Sequence, residues 1–421
     1  MSPSIDDSYR FLAAWYLRQQ AKQLATELVG VRESIDVEHV HQARVASRRL
    51  RAALGLFSDC LPAQMVSRWR KASRRVTTEL GTARDCDVHA QELTEQLVGL
   101  KKRAASRAVA RLLVDLERAR EACQPMVLRE IDRIERSGVL EEILHLTKEM
   151  LVDVDKSYKG NLRRVKPQDV AYTPVVFRRV GKRIRAELAE LKSYQDSLAS
   201  PKNKKQHHQM RIAAKRLRYT MEIVRPVYRG RLDKSIAVVK RLQTVLGDIH
   251  DCDVWCVKLD EFKCFQREQI IDTYGNTLAF DELEKGLNLL RKQCKARRNK
   301  HFNTLVKLWK KLKRKGRWDD LLKTIDHKPS RKAKRKVKRK AAGKSRLCNS
   351  GRRCHLCKRR NTCPKLRSAI DSGLMPVSVL DKIPASTAKT DTKKAATKKM
   401  ATKKKQSQKK RIQPKRSADS Q

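Results

Sequence analysis

HQARVASRRLR at residues 41–51 returns as HQMRIAAKRLR at residues 208–218, with seven of the eleven positions identical. Repetition at an offset of 167 residues predicts that the chain contains two copies of one structural unit. In a helix with about 100° per residue, Leu50, Leu54 and Phe57 of the first copy share one side. Four polar residues fall within roughly 80° of one another on the other side, namely His41, Arg44, Arg48 and Arg51.

The second copy repeats this arrangement. Leu217, Met221 and Val224 form its apolar side. Its polar side consists of His208, Arg211, Lys215 and Arg218. An apolar stripe buries a helix within a bundle and leaves the opposite side free to contact an acidic partner. Further cations in the two copies, or just ahead of a second repeated motif, are also candidate contacts: Arg49, Arg74, Arg75, Arg216, Lys240 and Arg241.

That second motif, LGTARDCDV at residues 80–88 and LGDIHDCDV at residues 246–254, supports the duplication. Six of its nine positions are identical, and its offset is 166. The glycine predicts a turn, so that the aspartates after it cap the next helix and brace an arginine. These aspartates are Asp85, Asp87, Asp251 and Asp253. The alternatives, that they bind a metal or act as an acid–base pair in an enzyme of phosphate metabolism, stay open.

Charge narrows the class of partner. The chain has 99 Lys and Arg residues against 46 Asp and Glu residues. Residues 331–421 hold 31 of the basic residues and four of the acidic ones, so both parts of the chain carry a large positive excess. Such an excess favours phosphate polymers, nucleic acid or anionic lipid as partners and disfavours small neutral substrates.

The composition before residue 315 predicts helix throughout, because Gly and Pro are sparse and long segments are rich in Ala, Leu, Arg, Lys and Glu. The predicted fold is all-α, with two pseudo-symmetric antiparallel helical bundles from an internal duplication and a disordered basic tail. Within the first unit, Pro125 is expected to break the helix that spans residues 104–149. The expected boundaries are a folded part at 1–315 (first unit 7–150, linker 153–173, second unit 174–313) and a tail at 316–421.

Targeting signals are weak. The N-terminus carries acidic residues where a signal peptide needs cations, and no apolar run is long enough for a membrane span. We therefore expect a cytoplasmic protein. In that compartment the eleven cysteines are expected to be thiols or metal ligands, and the seven from Cys60 to Cys294 are interpreted as small buried residues.

The H-x-x-R-x-x-x-[RK]-R-L-R helix, its second occurrence and the paired L-G-x-x-x-D-x-D motif resemble the CHAD domain, the conserved histidine α-helical domain. The resemblance covers residues 7–313. It implies two bundles related by pseudo-symmetry, with the signature histidines and cations lining a shared central surface. It also implies binding of inorganic polyphosphate and association with polyphosphate granules. Family members commonly have an apolar residue between the two aspartates, where this chain has Cys86 and Cys252.

The chemistry of the motifs agrees with that implication. Polyphosphate carries about one negative charge per phosphate and no bases, and arginine offers planar bidentate donors to phosphate oxygens. Cations around His41 and His208 should lower the pKa of each imidazole, whereas a bound polyanion should favour the imidazolium. Binding is therefore expected to tighten as the pH falls. Either histidine could instead donate a hydrogen bond to a neighbouring helix.

Catalytic motifs are absent from the sequence. The E-x-E-x-K strand of the triphosphate-tunnel hydrolases that often accompany this domain is missing. So are the phosphate-binding loop, the H-E-x-x-H helix and the G-x-S-x-G elbow. The sequence thus predicts a binding protein that is not an enzyme and requires no cofactor.

The C-terminal part supports a rival prediction. Basic runs at residues 331–340 and 393–405, the second similar to tails of linker-histone-like proteins, favour nonspecific binding to DNA, RNA or polyphosphate. A solubilising tail is the plainer interpretation. A C-x5-C-x2-C-x5-C array, with His355 as alternate ligand, fits either a structural zinc site or free thiols: Cys348, Cys354, Cys357 and Cys363. The rival is a nucleic-acid-binding, nucleoid-associated protein, although an aromatic content of 5% argues against base stacking.

Overall fold

Two sets of five helices follow one another along the described part of the chain. The computed structural model describes residues 6–33, 36–99, 103–157 and 165–326. The first set is α1 (Asp7–Glu33), α2 (Val37–Leu56), α3 (Ala63–Gly99), α4 (Arg103–Arg136) and α5 (Val139–Ser157). The second is α6 (Pro174–Ser193), α7 (Lys204–Ile223), α8 (Asp233–Tyr274), α9 (Leu278–Arg314) and α10 (Arg317–Asp326). Short 3₁₀ turns lie at Ser58–Cys60, Pro167–Asp169 and Gln195–Ala199.

The duplication is visible in the order of the helices. The two copies of the basic segment form most of α2 and α7, and the two copies of the second motif lie within α3 and α8. The halves meet where α2 contacts α7 and where α4 contacts α9. The described residues contain no β-strand. The prediction of an all-α fold with two pseudo-symmetric helical bundles is confirmed.

The turn predicted at the second motif is wrong. Residues 80–88 continue without interruption inside α3, and residues 246–254 do so inside α8. A glycine within a helix costs about 1 kcal/mol relative to alanine, and burial of the adjacent Leu80 and Leu246 offsets that cost. In α3 a Cβ at Gly81 would stand 3.4 Å from Nε of Arg44, which is an ordinary van der Waals contact. The motif aspartates therefore cap no helix.

The break predicted at Pro125 also lies elsewhere. Pro125 is inside α4, where the buried Val127 and Ile131 that follow it hold the helix against the core. The chain bends instead at Gly138, whose φ of +63° is a left-handed conformation that glycine adopts without a Cβ penalty. The local signal for a helix end was thus the glycine that follows the last turn of α4.

One continuous apolar core runs through both halves. Leu50 and Leu54 of α2, and Leu217 and Met221 of α7, are fully buried in it, as the apolar sides of the repeated helices predicted. Trp69 of α3 is also fully buried. Each such side chain stabilises the fold by about 1.5–3 kcal/mol. Burial of these sides fixes the rotation of α2 and α7 and so determines where their cations lie.

A second apolar cluster forms where the far ends of the long helices meet. It joins Leu93 of α3, Leu112 of α4, Trp255 of α8 and Leu290 of α9. At Gly286 the helices α4 and α9 approach closely, since a Cβ there would stand 2.2 Å from the carbonyl oxygen of Ala104. The two halves are therefore held together at this end as well as at the centre.

The helical body extends beyond residue 315, where the sequence predicted it to end. Gly316, with a φ of +58°, leads into α10, and Trp318, Leu321 and Ile325 of α10 are buried. The Trp318 and Trp309 rings lie 5.5 Å apart. The predicted disordered tail from residue 327 onward, its Cys348–Cys363 array and part of the predicted linker, residues 158–164, lie outside the described residues.

Candidate anion-binding site

Cations of α2 and α7 converge at the contact between the two helices. Burial, together with the charges of four arginines, lowers the pKa of Lys215 to about 7. Burial and three arginine charges likewise lower the pKa of Arg48. We call the six basic residues gathered here the central cluster: Arg44, Arg48, Arg51, Arg211, Lys215 and Arg218. The expectation that the two signature helices line one shared surface agrees with this geometry.

Carboxylates balance only part of the central cluster. Arg44 lies 3.7 Å from Asp85, and Arg218 lies 3.4 Å from Glu222. No carboxylate oxygen of the described residues lies within 4.0 Å of the remaining four cations. The unbalanced cations are Arg48, Arg51, Arg211 and Lys215.

Several donors in the central cluster are also unused. The buried Nε atoms of Arg44 and Arg48 have no hydrogen-bond partner among the described residues, and that of Arg218 has only the Glu222 carboxylate at 3.4 Å, in a geometry that forms no hydrogen bond. A buried charged donor without a partner costs folding free energy, on the order of 1–3 kcal/mol or more. An anion with several oxygen acceptors would remove that cost and supply the missing negative charge.

Tyr219 stands between the two helices. The guanidinium carbon of Arg48 lies 5.7 Å from the centroid of its ring, and that of Arg218 lies 5.0 Å away. Cation–π contacts with both arginines stabilise like charges at close range and restrict the orientation of their donors. Tyr219 is not among the predicted contact residues, and its position beside both arginines becomes visible only when α2 and α7 are packed together.

The two signature histidines lie beside the central cluster. Nδ1 of His208 is 3.2 Å from Nδ1 of His250, so one of these nitrogens donates to the other. Burial, with Arg211 and His208 nearby, lowers the pKa of His250 to about 4. Burial and adjacent cations also lower the pKa values of His41 and His208, as the sequence predicted. All three imidazoles are therefore mostly neutral at pH 7.

Each signature histidine lies close to one residue of the second motif, and that residue differs between the two halves. The charge of Arg84 in α3 acts on His41. The ring of His250 in α8 lies against that of His208 at an angle of 42°, with ring centroids 4.5 Å apart. Arg84 and His250 occupy equivalent positions in the second motif, just before its first aspartate. The repeat alignment could have identified both residues, because they follow the same offset as the motif itself.

Three predicted contacts outside the central cluster lie close to carboxylates. Arg75 donates to Glu130 at 2.9 Å, and Arg216 donates to both carboxylate oxygens of Glu190 at 2.6 and 2.7 Å. Arg49 lies 3.9 Å from Glu222. These three arginines already have carboxylate partners within the protein.

The remaining predicted cations lie on α3 and α8. The charges of Arg74 and Arg70 act on Arg51 and, with burial, lower its pKa. Arg74 thus adjoins the central cluster, and Arg70 is a neighbour that the sequence did not single out. Lys240 and Arg241 are exposed on α8.

The motif aspartates divide into two kinds. Asp87 accepts from Arg120 of α4 at 2.9 Å, and Asp253 accepts from Arg298 of α9 at 2.8 Å. The prediction that they brace an arginine is confirmed for this pair. Asp85 and Asp251 face the central cluster instead, and burial with nearby carboxylates raises the pKa of Asp251 to about 6. In the described part of the chain, no three His, Cys, Asp or Glu side chains form a group that could hold a metal ion.

A family model described as the CHAD domain matches residues 16–260. The fold is similar to the crystal structure of the CHAD domain from the plant Ricinus communis, with 20% sequence identity, coverage of 73% of this chain and 94% of that chain, and a TM-score of 0.47. It is also similar to PptA from Streptomyces chartreusis, with 16% identity, coverage of 71% and 98%, and a TM-score of 0.49. Curated proteins gave no match.

Among the helices described above, none has the length and apolar character needed to cross a bilayer.

Proposed function

The chain belongs to the CHAD domain family, and from this premise we propose that it binds inorganic polyphosphate through the central cluster and leaves the polymer chemically unchanged. In this proposal the protein associates with polyphosphate granules in the cytoplasm. Binding requires no cofactor, because the cations of α2 and α7 supply the charge that a metal would otherwise provide.

The observation that carries the proposal is the imbalance at the centre of the molecule. Four of the six cations in the central cluster have no carboxylate of the described residues within 4.0 Å. Two buried guanidinium Nε atoms, those of Arg44 and Arg48, have no acceptor there. A polyphosphate segment offers adjacent anionic groups that accept hydrogen bonds in any orientation, so it can satisfy several of these donors at once.

A neutral or singly charged ligand fits the central cluster less well. Six cations drawn from two helices would leave most of their charge uncompensated around one carboxylate or one sugar. A polymer of phosphates carries several negative charges along its length, so it can balance several cations distributed across the contact of α2 with α7. Tyr219 supports the same ligand, since it orients two guanidinium groups without adding negative charge.

A second candidate function rests on the C-terminal sequence. Residues 331–421 hold 31 Lys and Arg residues and four acidic residues, a composition that attracts any polyanion. The rival proposal is nonspecific binding of DNA or RNA by this segment, with the Cys348–Cys363 array as a structural zinc site. The two proposals differ in where affinity resides, because only the first depends on the central cluster.

The testing experiment uses the full chain and fluorescently labelled long-chain polyphosphate. Changing Arg48→Glu together with Arg211→Glu should weaken binding by about a hundredfold or more, since each lost hydrogen bond to a charged group contributes roughly 1.5–3 kcal/mol. The matched control is Arg216→Glu with Arg225→Glu, which changes the net charge equally at two exposed arginines paired with Glu190 and Asp233. Equal losses in the two double variants would refute the site.

The non-catalytic part of the proposal has its own test. Release of orthophosphate from polyphosphate should stay at the level of a protein-free sample, with or without added Mg²⁺. Asp85→Asn with Asp251→Asn should leave that level unchanged. Release by the unmodified protein that disappears in this variant would establish a phosphohydrolase instead.

A further inference from the structure

Lys215 differs from its repeat equivalent in one chemical property. The repeated segment places Arg48 in the first copy where the second copy has Lys215. An arginine stays protonated at every pH that a protein tolerates, whereas a lysine can lose its proton when it is buried or surrounded by cations. The two equivalent positions can therefore respond differently to pH.

The surroundings of Lys215 penalise its charged form. From α2 it faces Arg44, Arg48 and Arg51, and on its own helix it faces Arg211, one turn earlier. No carboxylate of the described residues lies within 4.0 Å of its amine. Burial contributes the largest effect, and the four arginines add to it, so the pKa of Lys215 falls from 10.5 to about 7.

Charged groups that lie further from Lys215 do not reverse the lowering of its pKa. Arg70 and Arg74 of α3 stand behind Arg51 and add further positive charge. On the α8 side, His250 and Asp251 both adjoin Arg211. The two carboxylates that pair with the central cluster, Asp85 and Glu222, do so through Arg44 and Arg218. The local charge around the amine is thus strongly positive until an external anion enters.

We propose that a large fraction of Lys215 is neutral in the ligand-free protein and that its amine takes up a proton when a polyanion enters the central cluster. This inference rests on the proposed function and adds its regulation, because proton uptake makes affinity depend on pH. Bound phosphates supply the negative charge that the surroundings of Lys215 lack. They therefore favour the ammonium form, which donates up to three hydrogen bonds to phosphate oxygens.

The sign and the range of the effect follow from linkage. The bound state holds more protons than the free state, so affinity rises as the pH falls. Above pH 8 nearly every free molecule must gain one proton to bind, and affinity should fall about tenfold per pH unit. Below pH 6 the lysine is protonated before binding and contributes no further change. His41, His208 and His250 can take up protons too, from their lowered free-state pKa values up to their pKa values in the bound protein, and that contribution does not depend on the proton of Lys215.

The decisive experiment is isothermal titration calorimetry of the full chain with long-chain polyphosphate at pH 7.5, in buffers of different protonation enthalpy. The dependence of the measured heat on buffer gives the number of protons taken up. With a pKa of about 7 in the free protein, uptake of about 0.8 proton per site is expected. Long chains are used because their ionised internal phosphates greatly outnumber the titrating end groups.

Two variants make the assignment specific. Lys215→Arg keeps the positive charge but cannot release its proton, so uptake at pH 7.5 should fall by about 0.8 proton per site and the tenfold loss of affinity per pH unit above pH 8 should disappear. Arg48→Lys is the matched converse, and it should increase proton uptake because the new amine would face Arg44, Arg211 and Arg218. Uptake that is unchanged in Lys215→Arg, or absent from the unmodified protein although it binds polyphosphate, would overturn this inference and leave the proposed function intact. Absence of binding in the unmodified protein would refute both.

Discussion

The salt dependence of binding should measure how many cations of the central cluster contact the polymer. Each neutralised charge of a single-stranded polyanion contributes about −0.7 to the slope of log affinity against log salt. Six contacting cations give a slope of about −4, so raising the salt from about 50 to about 200 mM should weaken binding by the cluster about 300-fold. Because residues 327–421 also carry charge, the quantity to compare is the difference between the unmodified chain and a variant.

Arg211→Ala is the informative perturbation. Arg211 has no carboxylate partner among the described residues within 4.0 Å, and its charge acts on Lys215, Arg48 and Asp251. Its loss should make the slope less negative by about 0.7 and weaken binding roughly tenfold to a hundredfold at fixed salt. The assay is polarisation of labelled polyphosphate over a series of salt concentrations.

Arg216→Ala is the matched control on the same helix. Arg216 is exposed and already donates to Glu190, so its loss should leave both the slope and the affinity nearly unchanged. If Arg216→Ala and Arg211→Ala change the slope equally, the geometry of the central cluster has no bearing on binding. The protein would then act as a diffuse positive surface, and the reasoning would be refuted.

Further predictions concern stability, measured by denaturant unfolding of the ligand-free protein. Gly286→Ala should destabilise the fold by about 1–3 kcal/mol, because the Cβ of the new alanine would stand 2.2 Å from the carbonyl oxygen of Ala104. Gly247→Ala is the control, and it should cause no loss of stability because there is open space around the new Cβ. Asp253→Ala leaves Arg298, which is 4% exposed, without its 2.8 Å partner and should cost about 3–5 kcal/mol; a cost below about 1 kcal/mol would contradict the bracing role. The pKa of Lys215 is about 7 in the folded protein and returns to 10.5 on unfolding. Between pH 7 and pH 10.5 the unfolded chain therefore holds the extra proton, so the free energy of unfolding should increase as the pH rises through this range. Lys215→Met should remove that increase.

The repeated segments made much of the site predictable. Because the basic segment occurs twice with one periodicity, the sequence separates an apolar side from a polar side in α2 and α7. Burial of Leu54 and Met221 confirms that separation. The same periodicity indicates that Arg49 and Arg216 lie on a different side of their helices, because each is rotated by roughly 100° or more from the central cations. A stricter use of the helical angle would have excluded both from the central cluster.

Other features depend on contacts that the local sequence does not contain. Gly81 and Gly247 are typical of turns, and only the packing of α3 and α8, which buries the adjacent Leu80 and Leu246, places both inside helices. Arg75 shares its spacing with candidate ligands, but its partner Glu130 lies 55 residues further along the chain. Partners at such distances appear only when the helices are packed, so the sequence alone could not separate the occupied cations from the free ones.

The most direct test of the central claim is a competition titration of the full chain bound to labelled polyphosphate. Unlabelled polyphosphate and duplex DNA are added as competitors at several salt concentrations, for the unmodified protein and for the Arg48→Glu, Arg211→Glu variant. The proposal predicts strong preference for polyphosphate that persists at physiological salt and is lost in the variant. Equal displacement by DNA, with the same salt dependence in both proteins, would contradict it and favour nonspecific nucleic-acid binding by the C-terminal segment.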